Sequence, residues 1–286
     1  MPPIPFAVTN TDLQLALATL HVRTRAAGGV ATPELVNITV CKVLKSSSDG
    51  AVASAGVRLN APATLLIKAR FLNITDRLKL LVGRSRMQRQ WRGASELRHL
   101  NLSVGRPLIH GVSTLAGKGV EVLVTEFVPG TTLLHHLRDK SLSGSESRHI
   151  SREVARAIVA MVRRGRFNRD FKPSNLIVSE PEEGGMRHIA QIDTVAIRRC
   201  NPARFDIAPV HMLTCLMLEP IGCGCPPTTR QRLRLLRDVV TAWNDENDAT
   251  ELEPDIRRSG IITLGKLVAA EINAHGDPRP RDNPLG

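Results

Sequence analysis

Three polar residues of one short loop, Asp170, Lys172 and Asn175, have the types and spacing that phosphoryl transfer requires. An aspartate five residues before an asparagine lets one loop accept a proton from an acceptor hydroxyl and also hold a magnesium ion. Lys172 lies between them and can neutralise the phosphoryl group during transfer. The loop therefore predicts Asp170 and Lys172 as catalytic residues in transfer of a phosphoryl group from ATP.

A further acidic residue, Asp193, ends the apolar stretch 188–192, and the loop itself leads into the apolar run Leu176–Val178. Carboxylate and amide oxygens are ligands that Mg²⁺ accepts, so Asn175 and Asp193 are the predicted metal ligands. A plain surface turn is the alternative, because Asn, Asp, Pro and Ser are turn formers. The joint occurrence of the loop residues, the following strand and a second strand ending in Asp193 favours the kinase interpretation.

Composition is that of a soluble globular protein, with 42% hydrophobic and 23% charged residues among 286. The net charge of +12 favours an anionic partner such as a membrane surface or a phosphorylated substrate. Arginines scattered over solvated helix faces would produce the same surplus, and the two interpretations stay open. Nucleic acid is not an expected partner, because the chain has no Tyr and only two Trp for base stacking.

Nothing in the sequence predicts export. No charged leader precedes an apolar block, and no run approaches the roughly 18 apolar residues that span a bilayer. We expect a cytoplasmic protein that could sit peripherally on the inner membrane. Five cysteines, an odd number, fit a reducing compartment. Cys215, Cys223 and Cys225 with His211 do not have a standard zinc spacing, which favours ordinary thiols over a metal site.

The elements that must position the loop are indicated by periodicity. Alternating or continuous apolar residues predict strands at 36–44, 63–68 and 120–128. Helical spacing predicts six helices: 85–100, one opening at 131, 151–163, 210–218, 230–243 and 261–274.

Two of the strands end in residues that could bind ATP. Lys68 follows an apolar strand, as the lysine that pairs with ATP phosphates does in kinases. The strand at 120–128 stops at Pro129-Gly130, so the backbone of Glu126 to Val128 could hydrogen-bond the adenine edge. An ordinary strand-to-helix connection would use the same residues.

The order of the motifs resembles the Kdo/WaaP lipopolysaccharide kinase family, a branch of the protein-kinase-like superfamily. The resemblance covers residues 36–200 and is carried by Ile67-Lys68, Gln90-Trp91, the segment 102–108, Glu126-Phe127, Gly165-x-x-Asn168-Arg169-Asp170 and Ile192-Asp193. It implies ATP-dependent phosphorylation of a sugar hydroxyl of the lipopolysaccharide core at the cytosolic side of the inner membrane. It also implies Asp170 as catalytic base, Lys68 as phosphate ligand, and Asn175 with Asp193 as Mg²⁺ ligands.

The chain departs from the family pattern at four places. Asn168 replaces the usual loop histidine, and no Gly-rich loop precedes Lys68. Thr194-Val195 follows Asp193 in place of the customary Phe-Gly, and Gln90 stands where a glutamate usually pairs with Lys68. A glutamine can hydrogen-bond a lysine but cannot neutralise it, so Glu96 is the other candidate to assist Lys68.

The resemblance implies an α+β, two-lobed protein-kinase-like fold. We expect a small β-rich N-lobe at residues 1–128, a larger helical C-lobe at 129–275 and a disordered tail at 276–286. Two functions remain: an active kinase acting on a glycolipid sugar or another small molecule, and a catalytically silent scaffold that binds nucleotide or a partner. Retention of Asp170, Lys172, Asn175 and Asp193 together favours the kinase.

Overall fold

The structure is a computed structural model that describes residues 11, 16, 21–22, 38–47, 50–57, 64–115, 117–180, 185–202, 204, 206–245, 254–276 and 278. Its contacts divide the chain into two units. Unit 1 comprises Met1–Ser95 and Gly105–Phe127, and unit 2 comprises Glu96–Val104 and Val128–Gly286. The expected lobe boundary at residue 128 stays a prediction. All but two residues of the tail 276–286 lie outside the described residues.

Unit 1 is built on an antiparallel sheet. Its six strands are β1 (His21–Val22), β2 (Ile38–Ser47), β3 (Gly50–Val57), β4 (Thr64–Phe71), β5 (Pro107–Leu115) and β6 (Lys118–Glu126). Their order is β1-β5-β6-β4-β3-β2. Residues 120–125 of β6 are all buried, and they include the polar residues Glu121 and Thr125. Lys68 on β4 lies in register with Leu123 of β6 and Val52 of β3.

Two helices follow β4: α1 (Ile74–Leu81) and α2 (Arg86–His99). The α2 bounds agree with the predicted helix at 85–100. The sequence analysis missed α1, although Asn73 is a good N-cap whose Oδ1 accepts from the Asp76 backbone N–H at 2.7 Å. Ile74, Leu78 and Leu81 of this helix are exposed, whereas Leu80 is half-buried.

Unit 2 is mainly helical. Its elements are β7 (Thr131–Thr132), α3 (Leu133–Asp139), α4 (Gly144–Arg163), β8 (Arg166–Asn168), the 3₁₀ turn Pro173–Asn175, β9 (Leu176–Val178), β10 (Ile189–Gln191), β11 (Ile197–Arg199), α5 (Ala208–Gly222), α6 (Thr229–Asp245) and α7 (Pro254–His275). Two small antiparallel sheets, β10-β9-β7 and β11-β8, hold the segment that contains Asp170.

The helix α4 forms the core of unit 2 and leads into this segment. It begins earlier than the predicted residue 151, because Ser143 and Glu146 form a reciprocal capping box at its start. Ile150, Val154 and Ile158 repeat at the helical period and are almost fully buried. Each buried side chain of this size contributes about 1.5–3 kcal/mol, so the stripe anchors the helix that delivers β8.

None of the helices among the described residues has the length and apolar character needed to cross a bilayer.

The turn at Gly130, before β7, generates a stability prediction. Its φ is 133°, and a Cβ there would lie 2.2 Å from the carbonyl oxygen of Val178. We expect Gly130→Ala to lower the free energy of unfolding by about 2–4 kcal/mol through strain and overlap. Gly224→Ala is the matched control, since its φ is 73° and nothing lies within 4 Å of the added Cβ. Urea unfolding measures both; equal losses would contradict the steric explanation.

Candidate active site

The predicted loop is a tight turn between β8 and β9. Its backbone is closed by two local hydrogen bonds, from Lys172 N–H to Asp170 O at 3.0 Å and from Asn175 N–H to Lys172 O at 2.9 Å. Pro173 starts the 3₁₀ turn, where its missing N–H costs nothing. The turn thus brings residue 175 back beside residue 170.

The side chains of Asp170 and Asn175 are in direct contact. Asn175 Nδ2 donates to Asp170 Oδ2 at 2.9 Å and to Asp170 O at 3.0 Å. Lys172 Nζ lies 3.3 Å from Asp170 Oδ1. The Asp170 carboxylate remains 43% exposed, so it is oriented by two donors and still reachable from solvent.

A buried asparagine joins the loop to the segment of Asp193. Asn168 is 1% exposed, and its Oδ1 accepts from the Asp170 N–H at 3.0 Å. Its Nδ2 donates to Gln191 Oε1 at 3.3 Å and to the Asp193 carbonyl at 3.5 Å. Ile192 N–H also donates to the Asn175 carbonyl at 3.0 Å. The structure therefore brings the backbones of Asp170, Asn175 and Asp193 together, and the asparagine at position 168 keeps a hydrogen-bonded connection there.

Glu219 of α5 supports the loop and was missed in the sequence analysis. Its carboxylate is nearly buried and accepts from Ser174 N–H at 2.8 Å and from Ser174 Oγ at 2.6 Å. Its Oε1 also lies 3.9 Å from Lys172 Nζ. A single acidic residue in an otherwise apolar helix was the available signal, because buried carboxylates are rare unless they are paired.

The β9–β10 hairpin, which precedes Asp193, contacts α4 through two polar side-chain pairs. Arg187 Nε lies 2.8 Å from Glu146 Oε1, and His188 Nδ1 lies 3.5 Å from Glu153 Oε2. Hydrogen bonds from Arg187 and from Ser143 lower the pKa of Glu146 to about 2. These contacts hold Arg187 and His188, the two residues before β10, against α4.

The thiol of Cys215 lies on the other side of the loop. Cys215 Sγ is 3.6 Å from the Arg169 carbonyl and 3.7 Å from His211 Nε2. Burial, and then the charges of Asp170 and Glu271, raise the pKa of this thiol to about 12. Cys215, Cys223 and Cys225 are free thiols in the described part of the chain.

The predicted ATP-binding residues of unit 1 lie on its sheet and helix. Lys68 is half-buried on β4, and Gln90 is 4% exposed on α2. The Glu126 carboxylate binds Arg106 Nη2 at 2.8 Å, and the Glu126 N–H donates to the Arg106 carbonyl at 2.9 Å. The adenine contact predicted for the backbone of Glu126 stays a prediction.

Two predicted residues belong to unit 2. The Glu96 carboxylate accepts from Arg166 Nε at 2.8 Å, which ties the end of α2 to β8. Val128 follows β6 in the chain. The proposed assistance of Lys68 by Gln90 or Glu96 stays a prediction, as does the role of Val128.

The buried position of Asn168 leads to a prediction about stability. Asn168→Ala removes partners from the Asp170 N–H and the Asp193 carbonyl, so we expect a loss of about 2–3 kcal/mol in the free energy of unfolding. Asn273→Ala, an exposed change on α7, should stay within about 0.5 kcal/mol of the unmodified protein. Urea unfolding compares the two, and a tolerated Asn168→Ala would show that the bridge contributes little.

The raised pKa of Cys215 leads to a prediction about reactivity. Because the thiolate is the nucleophile, Cys215 should be the last of Cys200, Cys215, Cys223 and Cys225 to react with iodoacetamide in the folded protein. Mass spectrometry of native and urea-unfolded samples measures the order. Labelling of native Cys215 as fast as Cys223 would contradict the burial of this thiol.

Comparison with known proteins gives three findings. The sequence model of the "Lipopolysaccharide kinase (Kdo/WaaP) family" matches residues 71–205. The structure is similar to that of WaaP in complex with acyl carrier protein, with a TM-score of 0.54 and 16% identity over 82% of this chain and 88% of that one. No curated protein matches the sequence. Since 1977 solved chains match the fold, the fold does not identify the activity by itself.

The matched structure confirms the predicted α+β, protein-kinase-like fold, with a small sheet-rich part and a larger helical part. The matched segment contains Gln90, Glu126, Asp170, Asn175 and Asp193. The family consists of kinases, so the findings support a phosphotransferase. Residues 71–205 of this chain therefore match the lipopolysaccharide kinase (Kdo/WaaP) family, and the fold is that of a protein-kinase-like protein.

Proposed function

We propose that the protein is a kinase that transfers the γ-phosphoryl group of ATP to a sugar hydroxyl of a lipopolysaccharide core or a similar glycolipid. One observation carries the proposal: Asn168 binds the backbones of both Asp170 and Asp193, while Asn175 binds the Asp170 side chain. Three residues that phosphoryl transfer needs are thereby gathered in one segment of unit 2.

Asp170 is the proposed catalytic base. Asn175 Nδ2 at 2.9 Å and Lys172 Nζ at 3.3 Å contact different oxygens of its carboxylate, which limits rotation of that group. A carboxylate held in this way can orient an acceptor hydroxyl and take its proton as the new P–O bond forms. Lys172 can in addition stabilise negative charge on the transferring group.

Asn175 and Asp193 are the proposed Mg²⁺ ligands. The donor set fits the ion, because a carboxylate and an amide oxygen are hard ligands and Mg²⁺ prefers oxygen. Asn175 already uses its Nδ2 towards Asp170, which leaves its amide oxygen as the ligand atom. A bound Mg²⁺ would neutralise charge on the ATP phosphates.

Glu219 positions the loop without touching the substrate. Its carboxylate accepts hydrogen bonds from the Ser174 N–H and from Ser174 Oγ. The turn between Lys172 and Asn175 is thereby attached to the buried face of α5. Its Oε1 also lies 3.9 Å from Lys172 Nζ.

The ATP-binding contribution of unit 1 is proposed for Lys68, with Gln90 or Glu96 assisting it. Backbone groups of Glu126 and Val128 would bind the adenine edge. The glycolipid acceptor is supported by the family and by the net charge of +12, which suits a phosphorylated substrate and an anionic membrane. Such an acceptor would be met at the cytosolic face of the inner membrane.

A silent scaffold remains the second candidate, and Gln90 is the observation that favours it. A buried glutamine cannot neutralise Lys68, so phosphate positioning would be weaker than with a glutamate. Asn168 does not favour the scaffold, because it keeps its hydrogen bonds to the loop and to Asp193.

The test is turnover of ATP with Mg²⁺ and a glycolipid fraction by purified protein. Asp170→Ala should reduce turnover by at least about 100-fold, since a general base contributes roughly 10²–10⁴-fold, while nucleotide binding stays largely unchanged. Asp206→Ala is the matched control: Asp206 is 49% exposed and paired with Arg204, much as Asp170 is exposed and paired with Lys172.

Each outcome separates the two candidates. Phosphate transfer that Asp170→Ala abolishes and Asp206→Ala preserves supports the kinase. Nucleotide binding that is indifferent to Mg²⁺, with no phosphate transferred to any glycolipid fraction, would establish the scaffold instead.

A further inference from the structure

The short helix α1 of unit 1 exposes a face of large apolar side chains. Ile74, Leu78, Leu81 and Val82 are 80%, 60%, 70% and 68% exposed. These positions are separated by four, three and one residues, so the helical period places them on one side of the helix. Single exposed apolar residues are common on soluble proteins, but a contiguous group of four marks an interaction surface.

The polar side of α1 is the side attached to the rest of unit 1. Asp76 is 7% exposed, and its Oδ2 lies 3.7 Å from Arg70 Nη2 of β4. Leu80, on the same side, is half-buried. The helix is therefore inverted relative to an ordinary surface helix, which buries its apolar stripe and exposes its polar one.

Basic residues surround the exposed apolar face. Arg77 and Lys79 lie on its two flanks, and four more exposed arginines follow in the next turns: Arg84, Arg86, Arg89 and Arg92. Asp76 is the only acidic residue between 72 and 95, and it is buried. This segment thus presents six exposed cations and no exposed anion.

We propose that α1 is a membrane-contacting helix that lies in the headgroup region of an anionic lipid bilayer. Ile74, Leu78, Leu81 and Val82 would enter the boundary of the acyl chains, and the flanking cations would bind lipid phosphates. An apolar helix face with a cation on each flank suits an anionic interface.

Two other occupants fit the surface less well. A second copy of the chain would bring two sets of six cations together, and like charges across an interface oppose association. An acidic protein would satisfy the charges, but it would also need a groove complementary to four side chains that stand out from the surface. A bilayer needs no complementary shape.

This surface is independent of the proposed catalytic residues, none of which lies on α1. Membrane binding through α1 would bring the kinase close to lipid-linked acceptors. To that extent the inference rests on the proposed function and deepens it. Its failure and the failure of the kinase proposal can be told apart, because vesicle binding and turnover of a lipid-free sugar acceptor are separate measurements.

The experiment is co-sedimentation of the full chain with phosphatidylcholine vesicles and with vesicles that also contain phosphatidylglycerol. We expect binding to the anionic vesicles only, weakened by high salt. Leu78→Gln with Leu81→Gln should reduce this binding at least tenfold. Arg77→Gln with Lys79→Gln should reduce it as well and make the remainder less dependent on salt.

The matched control is Leu233→Gln with Ile262→Gln, since these two apolar residues are 55% and 48% exposed on α6 and α7. It should bind as the unmodified protein does. Thermal unfolding checks that each variant is folded; all the substituted side chains are exposed, so the midpoints should be unchanged. Turnover of a soluble acceptor should be equal in the Leu78/Leu81 variant and the unmodified protein.

Three results of the vesicle experiment would overturn the proposal. They are no binding of the unmodified protein to anionic vesicles, equal binding by the Leu78/Leu81 variant, and an equal loss in the Leu233/Ile262 control. A dimer that dissociates in the Leu78/Leu81 variant, or an acidic protein that binds this face while vesicles do not, would assign the surface to a different occupant and would also overturn it.

Discussion

The candidate site depends on one buried amide. Asn168 accepts a hydrogen bond from the Asp170 N–H and donates to the Asp193 carbonyl, and it is almost completely excluded from solvent. In a buried place each unsatisfied polar group is costly, so the two backbone segments are held where Asn168 can satisfy both. An asparagine has one acceptor and one donor group on the same planar amide, which is what this bridge needs. The difference from the family histidine is therefore compatible with a connected loop.

The surroundings of the loop are built from charges that would be costly without partners. Glu219 is nearly buried but accepts two hydrogen bonds from Ser174 and lies near Lys172. The Cys215 thiol, close to the Arg169 carbonyl, stays protonated because burial raises its pKa to about 12. Next to Asp170 this neutrality matters, since a thiolate there would repel the carboxylate and any phosphate. The loop thus has an acidic support below it and a neutral thiol beside it.

The structure shows where part of the excess positive charge lies, which the composition alone cannot show. Scattered arginines and an anionic partner explain a net charge of +12 equally well from sequence. The structure concentrates exposed cations along residues 77–92, beside an exposed apolar helix face. The cations and the apolar residues are therefore parts of one surface, and the charge there has a specific physical use.

Local patterns were enough to predict several elements and one contact. The strands at 63–68 and 120–128 and the helix at 85–100 were readable because their apolar residues follow the period of the element. The five-residue spacing placed Asp170 and Asn175 on one loop, and the structure adds that Asn175 Nδ2 donates to Asp170 Oδ2. The sequence analysis missed the start of α4, although Ser143 and Glu146 have the spacing of a capping box. It also missed β3, because the small residues from Gly50 to Val57 show no strong alternation.

The sequence by itself determined which polar groups the loop carries: an aspartate, a lysine and an asparagine within six positions, and a second aspartate after a strand. Only the tertiary structure decided which distant groups support them. Glu219 reaches Ser174, Glu96 binds Arg166 rather than standing free, and α1 faces outward. The physical reason is that residue type and spacing specify local turns and periodic faces, whereas burial and partner choice depend on how separate elements pack.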